Sequence, residues 1–112
     1  MMPLWFVKCY IASPYTVGDS AENVRAQMEA AHKLMDYCIS PYTPLLSHFL
    51  HIYQPRNYDE WMAIDMSFLP MCDCLLRLPG DSAGADVQVC RAQSLKIPVF
   101  ESVDAVVAHY DV

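Results

Sequence analysis

Glycine is scarce in this chain: there are three in 112 residues, Gly18, Gly80 and Gly84. No glycine-rich phosphate fingerprint of the dinucleotide or P-loop type is present, and no Gly-x-Ser-x-Gly elbow marks a hydrolase triad. Positive charge is scarce too. Seven Lys and Arg against thirteen Asp and Glu leave a formal charge of −6. With no basic stripe to neutralise a phosphodiester backbone, no nucleic acid polymer is expected as a partner, although a small anion can still be held locally. The longest apolar stretches, Pro3 to Val7 and Cys74 to Leu78, are interrupted or too short to cross a bilayer, and Met1 to Ile11 lacks a basic start and a small-residue cleavage site. Neither membrane association nor secretion is expected. Five cysteines (Cys9, Cys38, Cys72, Cys74, Cys90) form an odd set without framework spacing, which suits a reducing, cytoplasmic setting. Cys72 and Cys74 flank Asp73 with no further ligands near in sequence. They read as buried strand-edge thiols, so no metal is expected, and no motif calls for a cofactor.

What is present is apolar bulk: 54% of residues are hydrophobic and 18% charged. That composition describes a packed globule, and the length allows one core, so residues 1–112 are read as a single domain. Leu4 to Ile11 is nearly continuous in apolar and β-prone residues, as a buried parallel strand is, and it stops at Ser13-Pro14. Asp19 with Glu22 resembles a capping box, and Val24, Met28, Ala31, Met35 and Cys38 then recur at helical spacing, predicting a helix from about Ser20 to Tyr37. Ile39 to Leu46 holds a short second strand broken by Pro41 and Pro44, and an irregular segment to about Asn57 follows. Tyr58 to Phe68 reads as a helix with Asp59 and Glu60 in its first turn. Asp73 to Leu78 is a third strand, Pro79 to Ser82 turns into a helix ending near Leu95, Ile97 to Phe100 is a fourth strand, and Ser102 caps a last helix through His109. Alternating strands and helices imply parallel pairing through right-handed crossovers. The predicted fold is an α/β three-layer sandwich of flavodoxin-like (Rossmann-like) type, with a parallel sheet of four to five strands in the order 2-1-3-4. Ligands of such sheets lie beyond the carboxyl ends of the strands, where the order reverses. The loops meeting there are Ser13-Pro14-Tyr15-Thr16 and Pro79 to Gly84.

Several residues near those loops can carry chemistry. Ser82 followed by Ala83, Gly84 and Ala85 opens a helix with small side chains, either to expose N–H groups to an anion or simply to cap the helix and allow close packing. Gly84 and Gln88 share a helix face, leaving room for a ligand against Gln88, whereas Asp86 points to nearly the opposite side. Trp61 and Asp65, also four apart, offer an aromatic surface beside a carboxylate, the pair a base and a sugar would need; the plainer reading is an interfacial Trp with a solvated Asp. His48 and His51 stand near Ser47 as polar ligand contacts or as ordinary surface histidines.

In order along the chain, Tyr10-Ile11-Ala12-Ser13-Pro14-Tyr15-Thr16, Asn23, Pro41-Tyr42-Thr43-Pro44, Ser47-His48, Trp61 with Asp65, Cys72-Asp73, Pro79-Gly80, Ser82-x-Gly84-Ala85 and Ile97-Pro98-Val99-Phe100 resemble the small relatives of nucleoside 2-deoxyribosyltransferases and deoxynucleoside monophosphate N-glycosidases. The resemblance spans Tyr10 to Phe100. It implies binding of a nucleoside or nucleotide and cleavage or transfer at the N-glycosidic bond, with a glutamate attacking the anomeric carbon and water or a second base resolving the intermediate. It implies that Tyr10, Ser13, Pro14 and Tyr15 line the pocket together with His48, Trp61, Gly80 and Asp81, and that Asp65 orients the base or sugar. Ser82 and Gly84 would receive a 5′-hydroxyl or phosphate.

The chain departs from the family where the nucleophilic glutamate is expected, ten residues before Pro98: that position is Gln88. A carboxamide is a far poorer nucleophile than a carboxylate. Two readings follow, an enzyme that uses Asp65 and another acid such as Asp81, or a binding or sensor protein that kept the pocket and lost the nucleophile. A third is a structural subunit. The resemblance also implies a homo-oligomer. A lesser departure is Tyr37-Cys38, where relatives commonly have glycine after the first helix, which is expected to alter only that helix end.

Overall fold

β1 begins later than its apolar sequence suggests, because a strand starts where it finds partners. The computed structural model describes residues 5–110, and in it β1 is Lys8–Ala12; Leu4, the expected start, lies outside the described residues. Trp5 and Phe6 form a turn and are exposed. Pairing begins at Lys8, whose register partner is Ser40 and whose backbone N–H donates to Asp73 Oδ2 at 2.8 Å.

The remaining elements follow as α1 (Ser20–Asp36), β2 (Ser40–Tyr42), α2 (Ser47–Tyr53), α3 (Tyr58–Phe68), β3 (Cys74–Arg77), α4 (Ala83–Ser94), β4 (Val99–Phe100) and α5 (Val103–Tyr110), with single 3-10 turns at Pro44–Leu46 and Leu69–Met71. The sheet is fully parallel in the order β2-β1-β3-β4, the α/β three-layer fold expected from the sequence. Alternation along β1 and β3 feeds two cores. Cys9, Ile11, Cys74 and Leu76 face Leu34 of α1 and Val106 of α5. Tyr10, Ala12 and Leu75 face Leu69 and the α4 residues Ala85 and Ala92.

Local chemistry sets the helix ends. Asp19 accepts from the Glu22 N–H, Asn57 from Glu60 and Ser82 from Ala85, so each side chain satisfies a donor that the first turn leaves orphaned. α1 ends with Cys38 in the left-handed region, φ +60°, while the Ile39 N–H reaches back to the Leu34 carbonyl at 3.1 Å. A cysteine therefore holds the position that glycine usually fills, at a conformational cost of about 1 kcal/mol.

Two expectations need correction. The segment after Leu46 is not irregular: Ser47–Tyr53 is a helix. The buried stripe of α1 is Val24, Gln27, Ala30, Ala31 and Leu34, whereas Met28 is exposed. A polar residue, not the methionine, takes the inward position between Val24 and Ala31.

Candidate functional site

Gln27 shows why that inward position is polar. It is 1% exposed and sits where three segments converge beyond the strand ends. Its Nε2 donates to the Ile11 carbonyl at 3.0 Å and to Ser13 Oγ at 2.8 Å, and its Oε1 accepts from the Leu45 N–H at 2.9 Å. The end of β1, the turn after it and the 3-10 turn after β2 are thereby tied together. One helical turn earlier, Asn23 holds the next part of the loop by donating to the Tyr15 and Val17 carbonyls.

Against this frame lies a cavity of about 490 Å³, within the size range of small-molecule sites. Ser13 and Tyr15 from the first loop, His48 from α2, and Trp61 and Asp65 from α3 line it. Ser82, Gly84 and Gln88 close it from the start of α4. Tyr10, Pro14, Gly80 and Asp81, also expected at the site, lie elsewhere. Tyr10 is fully buried in the core, stacked on Tyr42 at 5.3 Å, and its hydroxyl has no hydrogen-bond partner among the described residues. The Pro14 ring packs under Gly80, where a Cβ would lie 2.8 Å from Pro14 Cγ, so these two residues brace the loops without lining the cavity. Asp81 is exposed.

The chemistry of the lining is uneven. Asp65 is its one carboxylate among the described residues, and burial raises that carboxyl to about 7. Burial and the nearby Asp65 charge push the Tyr42 phenol up to about 12 and the Tyr10 phenol higher still. Gln88 is 7% exposed and directs its amide at Met62 Sδ, 3.7 Å away. Asp86 is turned away, paired at 3.0 Å with Arg77 and largely exposed. Arg77 also donates to the Leu78 and Gly80 carbonyls, fixing the loop that leads into α4.

Gly84 lines the cavity but stands close under α3. A Cβ there would lie 2.7 Å from Tyr58 Oη and 3.2 Å from Met62 Cε, so the space is already filled by α3 side chains. Hydrogen bonds fasten the α2–α3 wall: Tyr15 Oη with His48 Nδ1 at 2.6 Å, and Trp61 Nε1 donating to His51 Nδ1 at 2.9 Å. Sequence reasoning missed Gln27, Arg56, Tyr58 and Met62 as lining residues. Only Gln27 left a signal, a polar residue in phase with Val24, Ala31 and Leu34.

A second hollow, about 730 Å³, lies on the other sheet face between α1 and α5. Its walls mix Glu29, Lys33, Asp36 and Asp104. It lacks the buried amides of Gln27 and Gln88 and the Trp61–Asp65 pair that line the first, and the first is therefore the candidate site. Among the described residues no cluster of three His, Cys, Asp or Glu could hold a metal ion, and no helix is long and apolar enough to cross a membrane.

The parallel 2-1-3-4 sheet with its cavity at the β1 and β3 ends is a flavodoxin-like arrangement. Among solved structures the chain is similar to the 2-deoxyribosyltransferase of the psychrotolerant bacterium Bacillus psychrosaccharolyticus, at 20% identity and a TM-score of 0.59, over 83% of this chain and 69% of that one. No family model and no curated protein matches the sequence.

Proposed function

We propose that this protein binds a nucleoside or nucleoside 5′-monophosphate in the cavity between α3 and α4, with N-glycosidic chemistry suppressed by Gln88. The observation that carries this reading is the lining itself: an indole and a protonatable carboxyl on one wall, a carboxamide on the other, and no second carboxylate among the described residues. Trp61 offers stacking surface for a base, and Asp65, half ionised near neutrality, can donate or accept at the base or sugar. Ser82 caps α4, and the remaining N–H groups of that first turn are the end of the cavity suited to a 5′-hydroxyl or phosphate.

The test has two stages. Nucleosides and their monophosphates are added to the protein and the thermal midpoint is followed; a ligand at a hundred times its Kd stabilises by about 2.7 kcal/mol. An unmoved midpoint across the panel refutes the site. Base release from the bound deoxynucleosides is then compared between the natural chain and Gln88→Glu. The new carboxylate would attack the anomeric carbon, the C–N bond electrons would leave with the base, which takes a proton from Asp65, and water would then hydrolyse the glycosyl ester. Turnover only in the variant is the expected result. Turnover by the natural chain that survives Gln88→Ala would make the protein an enzyme with a different nucleophile.

The homo-oligomer that the resemblance implies would have a ready surface on α2. Its cavity side carries Ser47, His48 and His51, while Phe49, Leu50, Ile52 and Tyr53 point outward, from 58% to 89% exposed. We infer that a second copy covers this face, because it is apolar and free of acids on a chain of net charge −6. Light scattering should give a dimer or larger assembly that Leu50→Asp dissociates; a monomeric natural protein would remove the inference.

A further inference from the structure

His51 is held in one tautomer. Its Nδ1 accepts two N–H groups, Trp61 Nε1 at 2.9 Å and the Arg56 backbone N–H at 3.2 Å. Both are donors only, so Nδ1 must offer its lone pair and the ring proton resides on Nε2. The indole meets the imidazole edge-on, with centroids 5.9 Å apart at 72°, which fixes the ring plane as well. Two further contacts brace the corner between α2 and α3: Arg56 pairs with Glu60 at 2.9 Å and Asn57 caps α3. No acceptor among the described residues takes the Nε2 proton. The imidazole lines the cavity beside Trp61 and Asp65. It therefore confronts a ligand as a fixed donor, unable to switch to an acceptor without breaking both bonds at Nδ1.

We propose that the cavity selects bases with a carbonyl oxygen at pyrimidine C4 or purine C6 over the counterparts with an amino group at that position, and that His51 is the specificity-determining residue. This rests on the nucleoside reading above and names the class of base. An exocyclic carbonyl carries two in-plane lone pairs and protrudes from the ring edge, so it meets a fixed N–H from the wall. An amino group in its place sets N–H against N–H and leaves a half-buried donor unpaired. Asp65, one turn beyond Trp61, is half ionised near neutral pH and can donate or accept, so the discrimination falls to the fixed donor of His51. Sites that hydrogen-bond a ligand group reject analogues that cannot make the bond more strongly than apolar pockets reject a change in bulk.

The experiment pairs binding with spectroscopy. Deoxyuridine against deoxycytidine, and deoxyinosine against deoxyadenosine, are titrated into the natural protein, His51→Phe and Trp61→Phe. The oxo member of each pair should bind about tenfold tighter to the natural chain. His51→Phe, which keeps a flat ring at the corner, should bring the two members within about twofold of each other. Trp61→Phe should weaken all four and also shrink the ratio, because it removes the shorter of the two bonds that hold the tautomer and leaves only the Arg56 N–H at Nδ1. Nitrogen-15 NMR of the imidazoles in the ligand-free natural protein should show His51 protonated at Nε2 and bare at Nδ1. Equal affinities within each pair, a ratio that survives His51→Phe, or a proton on Nδ1 would overturn the inference and leave the nucleoside reading standing. Failure of all four nucleosides to bind would instead remove that reading, and the inference with it.

Discussion

Gln27→Leu tests whether the cavity depends on a single buried amide. Leucine is close in volume and suits the apolar stripe of α1, so the change isolates the three hydrogen bonds that Gln27 makes to Ile11, Ser13 and Leu45. A buried polar group left unpaired costs about 1–3 kcal/mol. The Ile11 carbonyl lies in the core and bears the full penalty, the Ser13 hydroxyl can rotate toward another acceptor, and the half-buried Leu45 N–H can recruit water. Burying the extra apolar surface returns about 1 kcal/mol. The net loss comes to about 1–2 kcal/mol, or roughly 4–10 °C in thermal midpoint for a domain of this size. Urea unfolding followed by circular dichroism, with an unchanged slope, measures it. Ligand affinity should fall as well, because the three segments that frame the cavity would no longer be tied to one another. A loss below about 1 kcal/mol with affinity intact would mean that backbone packing alone positions the loops, and the account given of Gln27 would be wrong.

Asp65 makes stability depend on pH in a direction unusual for an acid. Its folded value, about 7 against 3.8, means that ionisation opposes folding: the cost is absent below about pH 4, grows through the interval to 7 and is full above it. Asp65→Asn should therefore match the natural protein at pH 4 and exceed it by about 1–2 kcal/mol at pH 8, the full linkage value being reduced by solvent screening of a half-buried carboxylate; equal urea midpoints at pH 8 would contradict this. Two glycine replacements should differ in outcome. Gly80→Ala combines φ +116° with a clash against the rigid Pro14 ring and should cost about 2 kcal/mol. Gly84→Ala meets the mobile end of Tyr58 and gains up to about 1 kcal/mol of helix propensity, so it should leave the urea midpoint near or above that of the natural chain.

The fold was legible because its signals are local and repeated. Every helix start but that of α2 carries its own side-chain cap, each crossover its own pair of strands, and the order of elements follows from alternation alone. The candidate site was legible where two residues share a helix face, as Trp61 and Asp65 do, since a 3.6-residue period fixes that irrespective of tertiary context. It was not legible where the decision belongs to the tertiary structure. Gln27 and Met28 fit the α1 periodicity equally well, and only the convergence of Ile11, Ser13 and Leu45 chooses the amide. α2 escaped detection because its apolar residues face outward and its polar ones inward, the reverse of the pattern that identifies a helix packed on a core. Tyr10 sat in the expected strand but was expected at the cavity; side-chain alternation instead sends it into the core beneath Asp65.

The two helices that supply the chemistry are also the least anchored. Neither α2 nor α3 contributes a fully buried residue, whereas α1 and α4 bury five and three. Side-chain hydrogen bonds help hold the wall in place, those of Tyr15 with His48 and of Gln27 with Leu45 joining it to the better anchored frame. Elements with few buried contacts open at low free energy, so a ligand between α3 and α4 and a second copy on the outer face of α2 would both favour the same closed arrangement. Two ligands that favour one state must favour each other, by the same factor in either direction. Assembly and nucleoside binding at this wall would therefore be coupled, and ligand affinity should rise with protein concentration until the dimer is fully formed.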